Sequence, residues 1–212
     1  WPFSTKEKFF IKKDTFGMWF KILAACIPAA IVGVFFDDKI NELFYNYQTV
    51  AAMLIIFGVL FIVIENYNKG RKPVMNSIAE ITWKAAIGVG LFQLIAAVFP
   101  GTSRSGATIL GAMLIGVSRP IAAEYSFFMS IPVMFGASFL KIVKFFLDGN
   151  SFTGSQIFYT LLGMAVAFGV SVYSIQFLMS YVRRHNFKFF GYYRIILGAI
   201  VLAYFGITAL AV

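Results

Sequence analysis

Five stretches of the chain, 18–36, 47–64, 120–147, 156–182 and 191–212, are apolar almost without interruption. Each is long enough, or nearly so, to cross a bilayer core of about 30 Å as an α-helix. Pro28 and Pro132 fall inside two of them; such prolines are tolerated where neighbouring helices or hydroxyl side chains satisfy the carbonyls they free. The pattern predicts an all-α polytopic membrane protein with about five transmembrane helices. No fixed-period repeat or flexible linker divides the chain, so residues 1–212 read as a single membrane domain.

The region 81–117 departs from that pattern. Its apolar arms, 85–99 and 107–117, would reach only about 22 and 16 Å as helices, too short to span comfortably. Between them sits the polar run "PGTSRSG", residues 100–106. The lengths predict a re-entrant helix hairpin that turns within the membrane and leaves by the side it entered. Non-helical backbone at that depth requires burial in protein or a wet cavity beside it.

The loops carry the orientation. Basic clusters occupy 1–17 (Lys6, Lys8, Lys12, Lys13), 66–80 (Lys69, Arg71, Lys72) and 183–190 (Arg183, Arg184, Lys188), whereas 37–46 and 148–155 are acidic or neutral. By the excess of Lys and Arg in cytoplasmic loops, the first set lies inside, against anionic lipid headgroups. The net charge of +9 would otherwise suggest nucleic acid, but this clustering between apolar runs excludes it as a partner. With 60% apolar and 13% charged residues, the chain also falls far from soluble domains, which carry about 25% charged residues.

Few residues are available for chemistry. The single cysteine, Cys26, lies in an apolar run, so neither an intramolecular disulfide nor a thiolate zinc site can form. The single histidine, His185, reads as a solvated loop residue. Lys21, Lys141 and Lys144 can snorkel towards headgroups, and Tyr192, Tyr193 and Arg194 read as an interfacial anchor.

Arg104 is different, because a guanidinium at membrane depth is costly and marks a functional site with a partner. Its planar fork of donors matches phosphate oxygens. Thr102, Ser103 and Ser105 add hydroxyls, and Gly101 and Gly106 let the backbone turn and bring N–H groups close to a ligand. A helix beginning near Ala107 would favour an anion at its N-terminus. These features converge on a phosphate-sized anion. The competing reading is a Pro-Gly corner whose arginine pairs with Glu124. Gln93 can face the site or make a helix–helix hydrogen bond, and Glu124 can form an interfacial ion pair with Arg119. No Walker A loop is present, and the cysteine and histidine are remote from Arg104 in sequence. That leaves a hydroxyl nucleophile or an activated water.

The segment "FPGTSRSGATILGAMLIGVSRPIAAEYSFFMSIPVMFGA", with "GVGLFQLIAAVF" before it, resembles the second signature region of the bacterial undecaprenyl-pyrophosphate phosphatase family, the bacitracin-resistance membrane proteins. The resemblance extends from "MWFKILAACIPAAIVGVFF" to "YYRIILGAIVL". It implies an inverted-repeat helical fold with re-entrant hairpins in the bacterial plasma membrane. It also implies hydrolysis of a polyprenyl pyrophosphate, which recycles the lipid carrier of cell-wall synthesis, and it is compatible with a homodimer. Arg104 matches the family's phosphate-binding arginine, and Ser103, Thr102 and Ser105 match its neighbouring hydroxyls. Arg104 and Ser103 are thus the catalytic candidates, Gly101, Thr102, Ser105, Gly106 and Thr108 the candidates for binding the substrate phosphate, and Gln93 and Glu124 second-layer candidates.

One departure accompanies the match. The family's first signature, a glutamate-rich run leading into Ser-Ser-Thr-Gly-His, is absent. So are the presumed ligands of the divalent cation (Mg or Ca) that the resemblance implies; this chain offers no metal ligands of its own. Glu65, Glu80 and Glu124 lie near predicted segment ends. The opening "WPFSTKEKFF", with no initiator methionine, looks like the interfacial end of an earlier segment. On that reading these residues carry the phosphate-gripping half of a site and alone are close to inactive. The alternatives are a polyprenyl-phosphate carrier and a noncatalytic remnant.

Overall fold

The structure, a computed structural model, describes residues 13–210, and side chains from 15 to 208. The expected basic cluster at Lys6, Lys8, Lys12 and Lys13 and the Trp1–Phe3 start lie outside the described side chains. The described residues form eight α-helices: α1 Lys13–Phe35, α2 Asp37–Phe44, α3 Tyr47–Tyr67, α4 Trp83–Val98, α5 Arg104–Leu114, α6 Arg119–Leu147, α7 Gly154–Arg184 and α8 Lys188–Leu210. The short 3-10 turn Ile78–Glu80 precedes α4. Five of the helices, α1, α3, α6, α7 and α8, are long and apolar enough to cross a membrane. The protein is an all-α polytopic membrane protein.

Local sequence sets the helix ends. The Asn46 side chain accepts the Thr49 N–H at 2.8 Å to start α3, and Thr82 accepts the Ala85 N–H at 3.2 Å to start α4. Thr153 and Gln156 open α7, with the Thr153 N–H donating to Gln156 Oε1 at 3.0 Å. Pro120 sits in the first turn of α6, where its missing N–H costs nothing. The expected outer loop at 37–46 folds instead into the short helix α2, which begins with Asp37 and Asp38 in its first turn.

The 81–117 region is a hairpin of two short helices. Its arms, of 16 and 11 residues, rise about 24 and 17 Å. Gly88 faces Ile115 and Gly111 faces Phe92, so the arms run antiparallel. Entry and exit lie side by side: the Val74 N–H donates to Gly116 O at 2.8 Å and the Ser118 N–H to Met75 O at 2.9 Å. The second arm begins at Arg104, one turn earlier than the sequence suggested, because Ser103 caps it.

The bundle has two tight seams. Along α3–α8, a Cβ on Gly58 would stand 2.8 Å from Gly191 O, and one on Gly198 would stand 2.9 Å from Ala51 O. Only hydrogen at these positions lets the helices approach so closely, the usual device for packing in lipid. Along α1–α4, Gly90 lies against the Ala25 backbone. Between these seams, α5 is the most enclosed element, with Gly106 to Met113 all buried. By contrast α7 packs chiefly along α6 and leaves Phe158, Leu161, Phe168 and Tyr173 outward.

Candidate functional site

The hairpin tip, residues 99–103, points away from the end where the hairpin enters. Phe99 meets Phe44 of α2 edge-on at 4.9 Å, and Gly101 lies against Val50 in the first turn of α3. Two residues of the turn hold left-handed backbone, Gly101 at φ +87° and Ser103 at φ +66°. At Gly101 no side chain fits, since a Cβ would meet Val50 O at 2.5 Å. At Ser103 the conformation is strained for a residue with a Cβ. There Ser103 Oγ accepts the Gly106 N–H at 3.3 Å and lies 3.5 Å from Ser105 Oγ.

Among the described residues, the N–H groups of Ser103, Arg104 and Ser105 have no acceptor, and the Arg104 side chain has neither an ion pair nor a hydrogen bond. The anticipated Arg104–Glu124 pair does not form. Three free donors at a helix N-terminus, two hydroxyls and an uncompensated guanidinium together make a centre that favours an anion. Arg104 and Ser105 open onto a groove of about 480 Å³ between α6 and α7, walled by Phe127, Ser130, Met134, Val170 and Ser174. Ser130 and Val170 stand near the middle of the 29-residue α6 and the 31-residue α7. The charge therefore sits at mid-length of the spanning helices.

The remaining candidates divide by where their polar atoms go. Thr108 is buried, and its hydroxyl reaches Arg104 O at 3.1 Å, Ser105 O at 3.0 Å and Ser126 Oγ at 2.6 Å. It therefore braces the first turn of α5 against α6, and it does not line the groove. Thr102 is fully buried, with its Oγ1 unpartnered. Gln93 is buried on α4, and its Nε2 has no partner among the described residues. Tyr125 on α6 likewise buries a hydroxyl without a partner. Glu124 is half-buried and outside these contacts.

Sequence reasoning misassigned three cations. Arg119 pairs with Glu65 of α3, not with Glu124: Nε and Nη2 donate to the carboxylate at 2.8 and 2.6 Å. Lys21 donates to Ile81 O at 2.7 Å, at the hairpin entry, instead of extending to headgroups. Arg194 is the larger surprise. Tyr192 and Tyr193 are exposed as an anchor should be, but Arg194 is only 9% exposed. Its Nη2 donates to Gly101 O and, at 2.8 Å, to Thr102 O.

Comparison with known proteins places the chain in a family. The family described as "Bacitracin resistance protein BacA" matches residues 2–200. The chain belongs to this family. It is 60% identical over 204 residues to an "Undecaprenyl-diphosphatase" of Desulfitobacterium hafniense, covering 96% of this chain and 72% of that protein. It is 62% identical over 204 residues to "Undecaprenyl-diphosphatase 1" of Clostridium acetobutylicum, covering 96% and 73%. An "Undecaprenyl-diphosphatase" of Acetivibrio thermocellus is 58% identical over 204 residues, covering 96% and 74%. The family match runs through both arms of the hairpin and four of the long helices, and ends within α8.

Proposed function

We propose that the protein is a membrane phosphatase of the bacterial plasma membrane that hydrolyses undecaprenyl pyrophosphate to undecaprenyl phosphate. The observation that carries this reading is an Arg104 that, like three N–H groups beside it, has no partner among the described residues, at the wall of a largely apolar groove. A lipid pyrophosphate needs both features: cationic and dipolar donors for the headgroup and greasy walls for the chain next to it.

Arg104 holds non-bridging oxygens of the terminal phosphoryl group through its planar fork. The N–H groups of residues 103–105 oppose the charge that builds on those oxygens in the transition state, the kind of preorganised stabilisation that dominates such chemistry. Ser103 Oγ accepts from Gly106, and with Ser105 as the donor across their 3.5 Å contact the Ser103 proton is left to donate to a phosphoryl oxygen. Water attacks the terminal phosphorus, the bridging P–O bond breaks, and the undecaprenyl phosphate leaves as an anion. Thr102, Gly101 and Gly106 shape the turn, Thr108 holds its first helical turn, and Gln93 lies in the layer behind.

For a divalent cation the described residues do not fit. No group of three or more His, Cys, Asp or Glu side chains comes together among them. Glu65 is engaged by Arg119 and by the Phe187 N–H at 2.8 Å. Glu80 is engaged by Asn76 and Ser77. What these residues supply is the grip on the phosphoryl group.

A carrier for polyprenyl phosphate is the second reading, favoured by the openness of the groove along α6 and α7. Full-length protein in proteoliposomes separates the two. The phosphatase reading expects inorganic phosphate released from undecaprenyl pyrophosphate in step with its consumption; movement of intact lipid between leaflets without release would replace that reading with the carrier.

A further inference from the structure

Arg194 does not behave as a membrane anchor. It leaves α8 at the level where that helix packs on α3, and it crosses to the hairpin tip 92 residues away in sequence. One nitrogen, Nη2, donates to two successive carbonyls, Gly101 O and Thr102 O. Among the described residues no carboxylate pairs with it, and its Nε is buried without a partner. A buried charge balanced only by carbonyl dipoles is expensive in a membrane protein and points to a role.

The peptide geometry supplies that role. A trans peptide is planar, so its C=O and N–H point in opposite directions. Holding Thr102 O on Arg194 therefore directs the Ser103 N–H away from Arg194, and that N–H has no acceptor among the described residues. The same bond holds the turn just before Ser103, whose φ of +66° needs its surroundings to maintain it. On the other side, Val50 leaves no room for Gly101 to move towards α3. The tip is thus fixed between α3 backbone and an α8 guanidinium, and Arg104 follows two residues later.

We propose that Arg194 is a positioning residue for the phosphate site: by clamping Gly101 O and Thr102 O, it fixes the N–H groups of residues 103–105 and the origin of the Arg104 side chain against the phosphoryl group. This rests on the phosphatase reading above. Arg194 does not touch the substrate and acts through the turn.

The test uses full-length protein carrying Arg194→Met, Arg194→Lys, Arg104→Ala, and the Arg194→Met/Arg104→Ala pair, with undecaprenyl pyrophosphate as substrate. Misplacing a catalytic group by about 1 Å costs on the order of 100-fold, so Arg194→Met is expected to lower kcat by roughly 30- to 100-fold, with a smaller change in KM. Arg194→Lys keeps the charge without the fork and falls between. On the Arg104→Ala background, losing Arg194 should cost clearly less than on the parent, because only its effect on the N–H groups of residues 103–105 is left to lose. Hydrogen exchange of the bonded amides of the turn, those of Thr102, Gly106 and Ala107, should quicken in both Arg194 variants while exchange in α3 and α6 stays unchanged, a result that general destabilisation would not give. If Arg194→Met does not fold, Arg194→Lys carries the same comparisons. Parental kcat in folded Arg194 variants, a loss that adds fully to that of Arg104→Ala, or unchanged exchange at the tip would each overturn the Arg194 assignment alone. Full turnover by Arg104→Ala would overturn the phosphate grip of Arg104 and the positioning role with it, whereas no phosphate release by the parental protein would overturn the phosphatase reading itself.

Discussion

Glu65 and Arg119 form a two-bond ion pair that joins the end of α3 to the start of α6, with Nε and Nη2 of the arginine at 2.8 and 2.6 Å from the carboxylate. The same carboxylate accepts the Phe187 N–H at 2.8 Å, and Arg119 Nη1 reaches His185 O at 3.2 Å. Three segments rich in basic residues or next to them, 66–72, 118–119 and 183–188, are thereby gathered at one end of the bundle. That is the end assigned to the cytoplasm by charge.

Breaking this pair from the buried side should destabilise the protein. Glu65 is 97% buried at its side chain, but Arg119 is one-third exposed, so the cost falls below the fully buried case, at about 2–3 kcal/mol for Glu65→Gln. For a chain of this size that lowers Tm by roughly 5–10 °C. Replacing both partners with apolar residues should recover part of the loss, since neither charge is then left unpaired. Thermal unfolding of the detergent-solubilised single and double variants checks this; an additive double variant contradicts it.

Gly101 and Gly70 share a φ of +87°, but a Cβ at Gly101 meets Val50 O at 2.5 Å whereas one at Gly70 meets nothing within 4 Å. Alanine at Gly70 should therefore cost only the left-handed backbone penalty, about 1–2 kcal/mol, and leave turnover intact. Alanine at Gly101 incurs that penalty and also pushes the tip off α3. Turnover should fall by on the order of tenfold or more. Comparing kcat of the two variants separates close approach from backbone conformation.

Ser103 combines a strained backbone with a capping hydroxyl. Ser103→Gly relieves the positive φ and loses little as a cap, while Ser103→Ala keeps the strain and loses the cap, costing about 1 kcal/mol. Stability should therefore rank Gly above Ala. Turnover should drop in both, because the hydroxyl proposed to meet the phosphoryl oxygen is gone from each. A glycine variant with parental turnover would reduce Ser103 to a helix cap.

Much of this was legible in the sequence, and the misses share a cause. Apolar arms too short to span predicted the hairpin, and a lone arginine among hydroxyls marked the turn where three N–H groups and a guanidinium have no partner among the described residues. Both signals are local in sequence. Arg194 was taken for an anchor because two tyrosines precede it and its true partners are backbone carbonyls 92 and 93 residues earlier. Arg119 was matched to Glu124, five residues away, when its partner lies 54 residues away. Thr108 looked available because hydroxyl count says nothing of direction; in the structure its Oγ1 is spent on Ser126 and two carbonyls.

Glu80 gives a pH dependence outside the spanning helices. The Asn76 N–H and the Ser77 hydroxyl donate to its carboxylate at 2.7 and 2.8 Å and hold its carboxyl below the usual carboxylate range. A depressed carboxyl contributes stability that is complete above its unfolded value and is lost as pH falls through the folded one. The turn before α4 should therefore be insensitive to pH near neutrality and loosen only in acid. Glu80→Gln should remove that acid-limb dependence; an unchanged limb in the variant contradicts the assignment.

The central claim is that Arg104 grips phosphoryl oxygens, and the most direct measurement is the rate of phosphate release from undecaprenyl pyrophosphate by full-length protein carrying Arg104→Ala or Arg104→Lys. Loss of a donor aimed at transition-state charge costs on the order of 100- to 1,000-fold, so Arg104→Ala should fall by at least that much. Arg104→Lys, a point charge without the fork, should recover only part of it. Rates within about threefold of the parent in a folded Arg104→Ala protein would contradict the account.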